Sequence, residues 1–532
     1  MSVIGSNILA GASGQAGYNL TKSLRFRRSA SGYLNRTPAS ASNRTTWTWS
    51  GWVKLGLLDV SRQIFGTEGG ATQSGLVFES ANTLFAFSEN ASETFLRTTQ
   101  VFRDPSAWYH VVWAEDTTQA TASNRSKLYI NGVQITAFST ANYPSPSFNG
   151  SINNNVQHLI SSYDGVNQLY DGYMTEINFV DGQQLTPSSF GETSTTTGVW
   201  IPKKYTGTYG TNGFYLPFTD NSALTTSSNA GLGKDFSGNA NYFATNGISI
   251  TSGSTYDSMT DVPTLTSATT ANYCVLNPLN KGSAITLLNA NLGLTQTSTW
   301  NGVTGTFGVS SGKWYFELIY GGGTACVIGV ATSSYDITTE PGDASTAWRY
   351  RSDDGTKKNG GSSSAYGATW TTNNVIGVAV DMDSGTITFY KDNASQGEAF
   401  SNLSGNTVFP VVGIFSSSGT TSLNFGQQPF SYTPPSGFVA LNTFNISAGT
   451  ITTSGSFTGN TATDGPFIYL NGVPTAMTIN GNSVTFGTDA DKLSNGFKVR
   501  SSSSSYNASG SNTYSISTTS DKFKFANAQP NP

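Results

Sequence analysis

With 532 residues, the chain exceeds the size at which one hydrophobic core stops growing, so several domains are expected. Charged residues make up only 11% and aromatics 12%, the balance of a turn-rich β protein and too aromatic for a disordered chain. The 27 basic and 31 acidic residues leave a net charge of −4, and no dense Lys/Arg run exists to neutralise phosphates, which argues against nucleic acid as a partner.

Residues 1–21 read as an N-terminal extension and candidate attachment segment. Its first part, Met1 to Ala16, lacks the basic start and long apolar run of a signal peptide, and no stretch elsewhere approaches the roughly 20 apolar residues that span a bilayer. Neither Sec secretion nor membrane insertion is expected. From there on, short alternating runs bounded by Gly, Asn, Asp and Ser replace any 3.6-residue rhythm, which predicts an all-β chain of serial antiparallel sandwiches.

In residues 46–54, Trp47 and Trp49 alternate with small or polar residues before Trp52-Val53 shift the pattern, as on a strand that buries one aromatic face. Trp108-Tyr109-His110-Val111-Val112-Trp113 is the next strong strand. Asn131-Gly132, between Leu128-Tyr129-Ile130 and Val133-Gln134-Ile135, supplies the positive φ angles of a tight hairpin. Residues 169–180 alternate again, and Asp181-Gly182 turns the chain before the first domain, 22–195, closes.

The Thr/Ser/Gly-rich stretch 196–290 reads as a connecting segment that wraps on its neighbours. Within it, Gly233-Lys234-Asp235-Phe236-Ser237-Gly238-Asn239 lacks the strand–loop–helix context of a phosphate cradle. A second sandwich is expected over 291–443, with strands at 312–318, 327–331, 376–381, 386–391, 409–414 and 423–427. Residues 444–532 read as a small third β module.

Ser23-Leu24-Arg25-Phe26, Gly51-Trp52-Val53, Trp108-Tyr109-His110-Val111, Leu128-Tyr129-Ile130-Asn131-Gly132 and Gly172-Tyr173-Met174 with Glu176-Ile177 occur in the order of the laminin-G and concanavalin A-like lectin superfamily, which 22–195 resembles. That resemblance implies a two-sheet jelly roll. Gly312-Lys313-Trp314-Tyr315-Phe316-Glu317, Ile328-Gly329-Val330-Ala331, the hairpin from Asp381 to Phe389, Phe409-Pro410-Val411 and Asn424-Phe425-Gly426 resemble the SPRY fold over 291–443. Together with the opening Ile8-Leu9-Ala10-Gly11 and the closing phrases Asn495-Gly496-Phe497-Lys498 and Phe523-Lys524-Phe525-Ala526-Asn527-Ala528, the chain resembles virion proteins of tailed bacteriophages, especially marine ones.

Catalytic chemistry finds little material. His110 and His158 are the only histidines, and neither has a Glu or His at ligand spacing, so each is read as a histidine packed within a sheet. The Glu-x-Asp-x-x-Glu strand by which glycosidases of the same sandwich fold resemble one another is missing. Asp381-Met382-Asp383 matches a SPRY hairpin turn, and Asp353-Asp354-Gly355 reads as a loop. Cys274 and Cys326 cannot form a disulfide framework. The laminin-G resemblance brings a candidate Ca²⁺ at the first sandwich rim, with Asp116 and Asp164 as candidate ligands, against the alternative of solvated turn aspartates.

Tyr143, Tyr163, Trp348 and Tyr350, read as loop aromatics, suit the stacking of a pyranose face. The SPRY resemblance adds Arg349 and Tyr366, because relatives grasp ligands with loops at one sandwich end. A protein–protein interface and simple core packing use the same side chains, and those alternatives stay open. The expectation is a non-enzymatic phage structural protein, a tail-fibre or appendage adhesin located in the virion tail rather than on the capsid. Its expected partners are a host-surface glycan or receptor and other virion proteins, in a homotrimer by analogy. The alternative is a capsid decoration or tail-cementing protein that uses the same folds for protein docking.

Overall fold

The computed structural model describes residues 18–525 apart from 69–71, 90–91, 195–198, 447–448, 464–465, 470–472, 494–495 and 521–522. The motif residues Ile8 to Gly11, Asn495 and Ala526 to Ala528 therefore lie outside the described residues. Among those described, no helix is long and apolar enough to cross a membrane.

The first sandwich contains β1 (Ser23–Phe26), β2 (Tyr33–Arg36), β3 (Thr46–Leu55), β4 (Arg62–Thr67), β5 (Gly75–Phe78), β6 (Thr83–Phe87), β7 (Phe95–Val101), β8 (Trp108–Asp116), β9 (Ser126–Ile130), β10 (Val133–Gln134), β11 (Phe138–Asn142), β12 (His158–Ile160) and β13 (Gly172–Asp181). One sheet runs β10-β9-β8-β3-β13-β1, and the other runs β11-β7-β6-β5-β4-β12-β2. Side-chain alternation explains the core between them. Trp47 and Trp49 of β3 point inward together. Trp47 meets Trp113 edge-on at 4.7 Å, and Trp49 stacks on Phe65 of the facing sheet at 5.7 Å. The expected hairpin forms, with Asn131 at φ 48° and Gly132 at φ 83°.

Residues 196–290 are built into this sandwich. After a hairpin of β14 (Gly191–Thr193) and β15 (Trp200–Pro202), β16 (Phe214–Leu216) pairs with β13, β17 (Ala244–Asn246) with β2, and β18 (Ser258–Met259) with β1. These short strands thus extend both sheets. The outer face of the first sheet is covered too: Phe190 and Tyr205 pack on Val112, Ala114, Tyr129 and Val180.

A buried polar knot ties the later part of that segment to β3. Lys54 Nζ, fully buried, donates to Asp261 Oδ2 at 2.7 Å, Asn272 Oδ1 at 2.7 Å and the Tyr273 carbonyl at 2.8 Å, while Trp108 Nε1 donates to Asp261 Oδ1 at 3.0 Å. All three ammonium donors are used, which is what lets a charge remain in a dry interior.

The second sandwich pairs a sheet of Leu276–Lys281, Asn301–Gly305, Phe409–Ser417, Gly323–Ala331, Ala347–Arg351, Thr356–Lys358 and Ser364–Ala365 with one of Ile285–Leu288, Gly293–Gln296, Thr421–Asn424, Lys313–Ile319, Val375–Asp381, Thr386–Lys391 and Ala394–Phe400. Val439–Ala440 adds to the latter in parallel. It joins the first sandwich through bonds such as Asn291 Nδ2 to the Gly56 carbonyl at 3.0 Å and Tyr173 hydroxyl to the Ala290 carbonyl at 3.1 Å. Residues up to Asn445 form one compact unit, and Ile446–Lys524 form a second. The second unit folds around Met477, Ile479, Ala490, Phe497, Val499 and Ile516.

Candidate ligand-binding groove

The outward face of the β11-to-β17 sheet carries an apolar patch where water would ordinarily meet polar side chains. In β6, Leu84 and Ala86 enter the core, so Phe85 and Phe87 must project outward, where their rings stack at 5.2 Å. In β7, Leu96 goes inward and leaves Phe95 and Arg97 beside them. Phe95 lies 4.6 Å from Phe85, and the Arg97 guanidinium sits 5.1 Å from the Phe85 centroid and 4.8 Å from that of Phe95. Arg97 is locked by a bidentate pair with Glu79, Nε to Oε2 at 2.6 Å and Nη2 to Oε1 at 2.8 Å, and Thr83 Oγ1 donates to the same carboxylate at 3.0 Å.

These side chains and Val77 form one wall and floor of a groove of about 260 Å³; Ser61, Tyr163 and Gln168 complete it. The Ser61 and Tyr163 hydroxyls and the Gln168 amide make no hydrogen bond to the described residues, while the Arg97 charge is already matched by Glu79. The groove therefore offers flat apolar faces, uncommitted neutral polar groups and no net charge.

Of the residues expected to bind ligand, Tyr163 alone lines this groove. Tyr143 follows β11, whose terminal Asn142 pairs with Phe95, but it does not line the groove. The expectation of loop positions for Trp348 and Tyr350 is corrected. They lie with Arg349 on the strand Ala347–Arg351, inside a sheet between Gly323–Ala331 and Thr356–Lys358. Trp348 is 3% exposed and donates to Asn402 Oδ1 at 2.8 Å. Tyr350 is fully buried against Tyr366, Trp370 and Phe389, and its hydroxyl donates to the Ala368 carbonyl. Arg349, also buried, pairs with Glu340 at 3.0 Å. Tyr366 is half-buried, with its hydroxyl donating to the Gly397 carbonyl. These groups are occupied in the fold.

Asp116 accepts from Thr118 N, Thr118 Oγ1 and Gln119 Nε2, and Asp164 accepts from Val166 N, Asn167 N and Asn167 Nδ2. Each carboxylate thus caps its own turn. Among the described residues no three His, Cys, Asp or Glu side chains converge on a metal position. Cys274 and Cys326 are buried free thiols.

Both histidines are buried and held neutral. Trp200 Nε1 donates to His110 Nδ1 at 3.0 Å, so the ring proton lies on Nε2 and is directed to Ser50 Oγ at 2.9 Å. In that tautomer His110 has no lone pair with which to deprotonate Ser50. Stacked between Trp52 and Trp200, it is pushed by burial down to about 3. His158 Nε2 accepts from Asn153 N at 3.0 Å, and burial pushes its pKa down to about 4.

Comparison with known proteins accounts for the two sandwiches. Residues 28–189 match the concanavalin A-like lectin/glucanases superfamily, and residues 313–428 match the SPRY domain. The chain is similar to the ATP-dependent RNA helicase DDX1 of Xenopus laevis, 28% identical over 187 residues that cover 33% of this chain and 24% of the helicase. It thus spans about a quarter of that relative's length. Among solved structures it is similar to a human SPRY domain, with 21% identity, a TM-score of 0.23, and coverage of 27% of this chain and 95% of that one. The SPRY domain of human HERC1 matches with 22% identity, a TM-score of 0.25, and coverage of 28% and 96%.

Proposed function

We propose that this chain, which carries a concanavalin A-like domain and a SPRY domain in series, is a non-enzymatic tail-fibre or appendage adhesin of a tailed bacteriophage. In this reading the groove on the first sandwich binds a glycan of the host surface without cleaving it. The supporting observation is the groove's composition: the partly exposed Phe85 and Phe95, with the buried Phe87 beneath them, give an apolar lining for one side of a sugar, while Ser61, Tyr163 and Gln168 keep polar atoms for its hydroxyls. Because Glu79 neutralises Arg97, the groove suits an uncharged glycan. Both histidines are spent on structure, which supports a binding role over catalysis. The phage assignment rests on the sequence resemblance alone. A homotrimer displayed beside other virion proteins would multiply a weak single-site affinity.

The test presents purified full-length protein multivalently to host cells and envelope polysaccharide. Wild type should bind, and Phe85→Ala and Phe95→Ala, both at partly exposed positions, should weaken binding by at least about tenfold with the fold intact. Equal binding by the variants would remove the groove from adhesion. A capsid lattice location with this sheet face buried against a neighbour would instead favour the decoration or cementing role.

A further inference from the structure

A second recess lies on the other sheet of the first sandwich, apart from the groove. Along one edge of β13, the partner strand changes. β1 pairs with residues 172–174, and β16 pairs with 177–179. At the gap between the two partners sits Glu176, on the opposite edge from which the β3 register also shifts between Thr175 and Asn178. Glu176 is a non-glycine residue in the left-handed region, with φ 52°, an arrangement that stores strain and re-aims a side chain.

The recess above it encloses about 210 Å³, the scale of one monosaccharide, and its lining includes Tyr18, Lys22, Glu176, Lys204, Tyr215 and Phe236. The Tyr215 and Tyr18 hydroxyls lie 2.7 and 3.2 Å from Glu176 Oε1 and are hydrogen-bonded to one another at 2.6 Å, so that at any moment one of the two donates to the carboxyl. Glu176 Oε2 takes no hydrogen bond from the described residues. Lys22, half-buried, and Lys204, exposed, form no ion pair within 4.0 Å among those residues. Phe236, 41% exposed, lies at the rim with Lys234 Nζ 5.0 Å from its ring centroid, and that ammonium pairs with Asp220 at 3.3 Å.

We infer that this recess binds an acidic sugar unit through its carboxylate, with Lys22 and Lys204 supplying the positive charge and the Glu176 carboxyl offering Oε2 beside them. The charge balance favours an anion. Burial raises the Glu176 pKa to about 7, against the lowering effect of the two tyrosine hydroxyls and Lys204. The ionisable groups facing it are Tyr18, Lys22, Lys204, Tyr209 and Tyr215. Burial raises all three tyrosines, so they remain protonated, and Glu176 is the group that changes charge near neutrality. Binding should therefore weaken about tenfold from pH 6 to pH 8 as the carboxyl donor becomes a competing anion.

Titration calorimetry of the full chain with glucuronate, glucose and inorganic phosphate tests this. The inference requires glucuronate binding that exceeds that of the other two and falls with pH. Lys204→Ala, at an exposed position, should weaken it about fivefold or more. Glu176→Gln should keep the pH 6 affinity and abolish the pH dependence; loss of binding in that variant with a native melting profile overturns the carboxyl's role. Phosphate binding as strong as glucuronate's, or no glucuronate binding in folded wild type, overturns the assignment. Phe85→Ala, in the groove, should leave all of these readings unchanged, which separates this site from the adhesive one.

Discussion

Glu115, near the end of β8, illustrates how a single side chain sets a pH limit on the fold. It is 2% exposed, its Oε2 is buried without a partner, and burial raises its pKa to about 8 against the lowering influence of the neighbouring Ser126 and Trp113 side chains. A folded-state pKa above the unfolded value means that the neutral form is favoured by folding, so this contribution is complete below about pH 4.5 and is lost as pH rises towards 8. Glu115→Gln should therefore melt higher than wild type at about pH 9, with the difference shrinking towards zero near pH 4 in calorimetry. His110 and His158 act in the opposite sense. Their lowered pKa values favour folding above about pH 6.5 and withdraw that support as the solution is acidified towards 4 and then 3.

At the scale of elements, the Asn131-Gly132 turn does more than reverse the chain. A Cβ on Gly132 would come within 2.5 Å of the Trp200 ring, and Trp200 is the donor that fixes the His110 tautomer. Asn131 Oδ1 in turn accepts from His110 N at 2.8 Å. Gly132→Ala should cost about 2 kcal/mol or more in denaturant unfolding, from left-handed strain together with displacement of the indole.

The turn itself was legible in the sequence because Asn-Gly is a local signal. The docking of Trp200 on it was not, because that contact joins residues nearly seventy positions apart. The same contrast explains the sites. Laminin-G-like and SPRY strands follow from local alternation, and the matched families agree with them. The strand position of Trp348 and Tyr350 is not legible locally, because Arg349 and Arg351 interrupt the apolar pattern of Ala347–Arg351 and Arg349 is accommodated only by its distant partner Glu340. The groove left a subtler trace. Residues 83–87, Thr-Leu-Phe-Ala-Phe, are apolar on both faces of a strand, which is excessive for a sheet with one wet side.

For the whole larger unit, the Lys54–Asp261 knot makes the two sandwiches interdependent. Asp261 bonds back to Lys54 and Trp108 of the first sandwich, and the adjacent Thr260 N donates to the Gln427 carbonyl of the second at 2.8 Å. Asp261→Ala would strand a buried ammonium and should destabilise by about 3–5 kcal/mol. Hydrogen exchange should report the loss in both sandwiches; an effect confined to residues before 260 would show that the coupling is weak. Exchanging Lys54 and Asp261 together for apolar residues should recover much of the loss.

The three short strands β16, β17 and β18 carry a consequence for how such a chain can be reshuffled. They come after the residues that match the lectin-like family, yet β16 and β17 fill hydrogen-bonding edges on β13 and β2 within that part of the chain, and β18 fills one on β1 just before it. A recombination joint placed at residue 195 would transplant a sandwich with three open edges, ready to pair with any neighbouring strand. The structural unit built on the first sandwich thus reaches at least to Met259, well past the limit that its motifs mark.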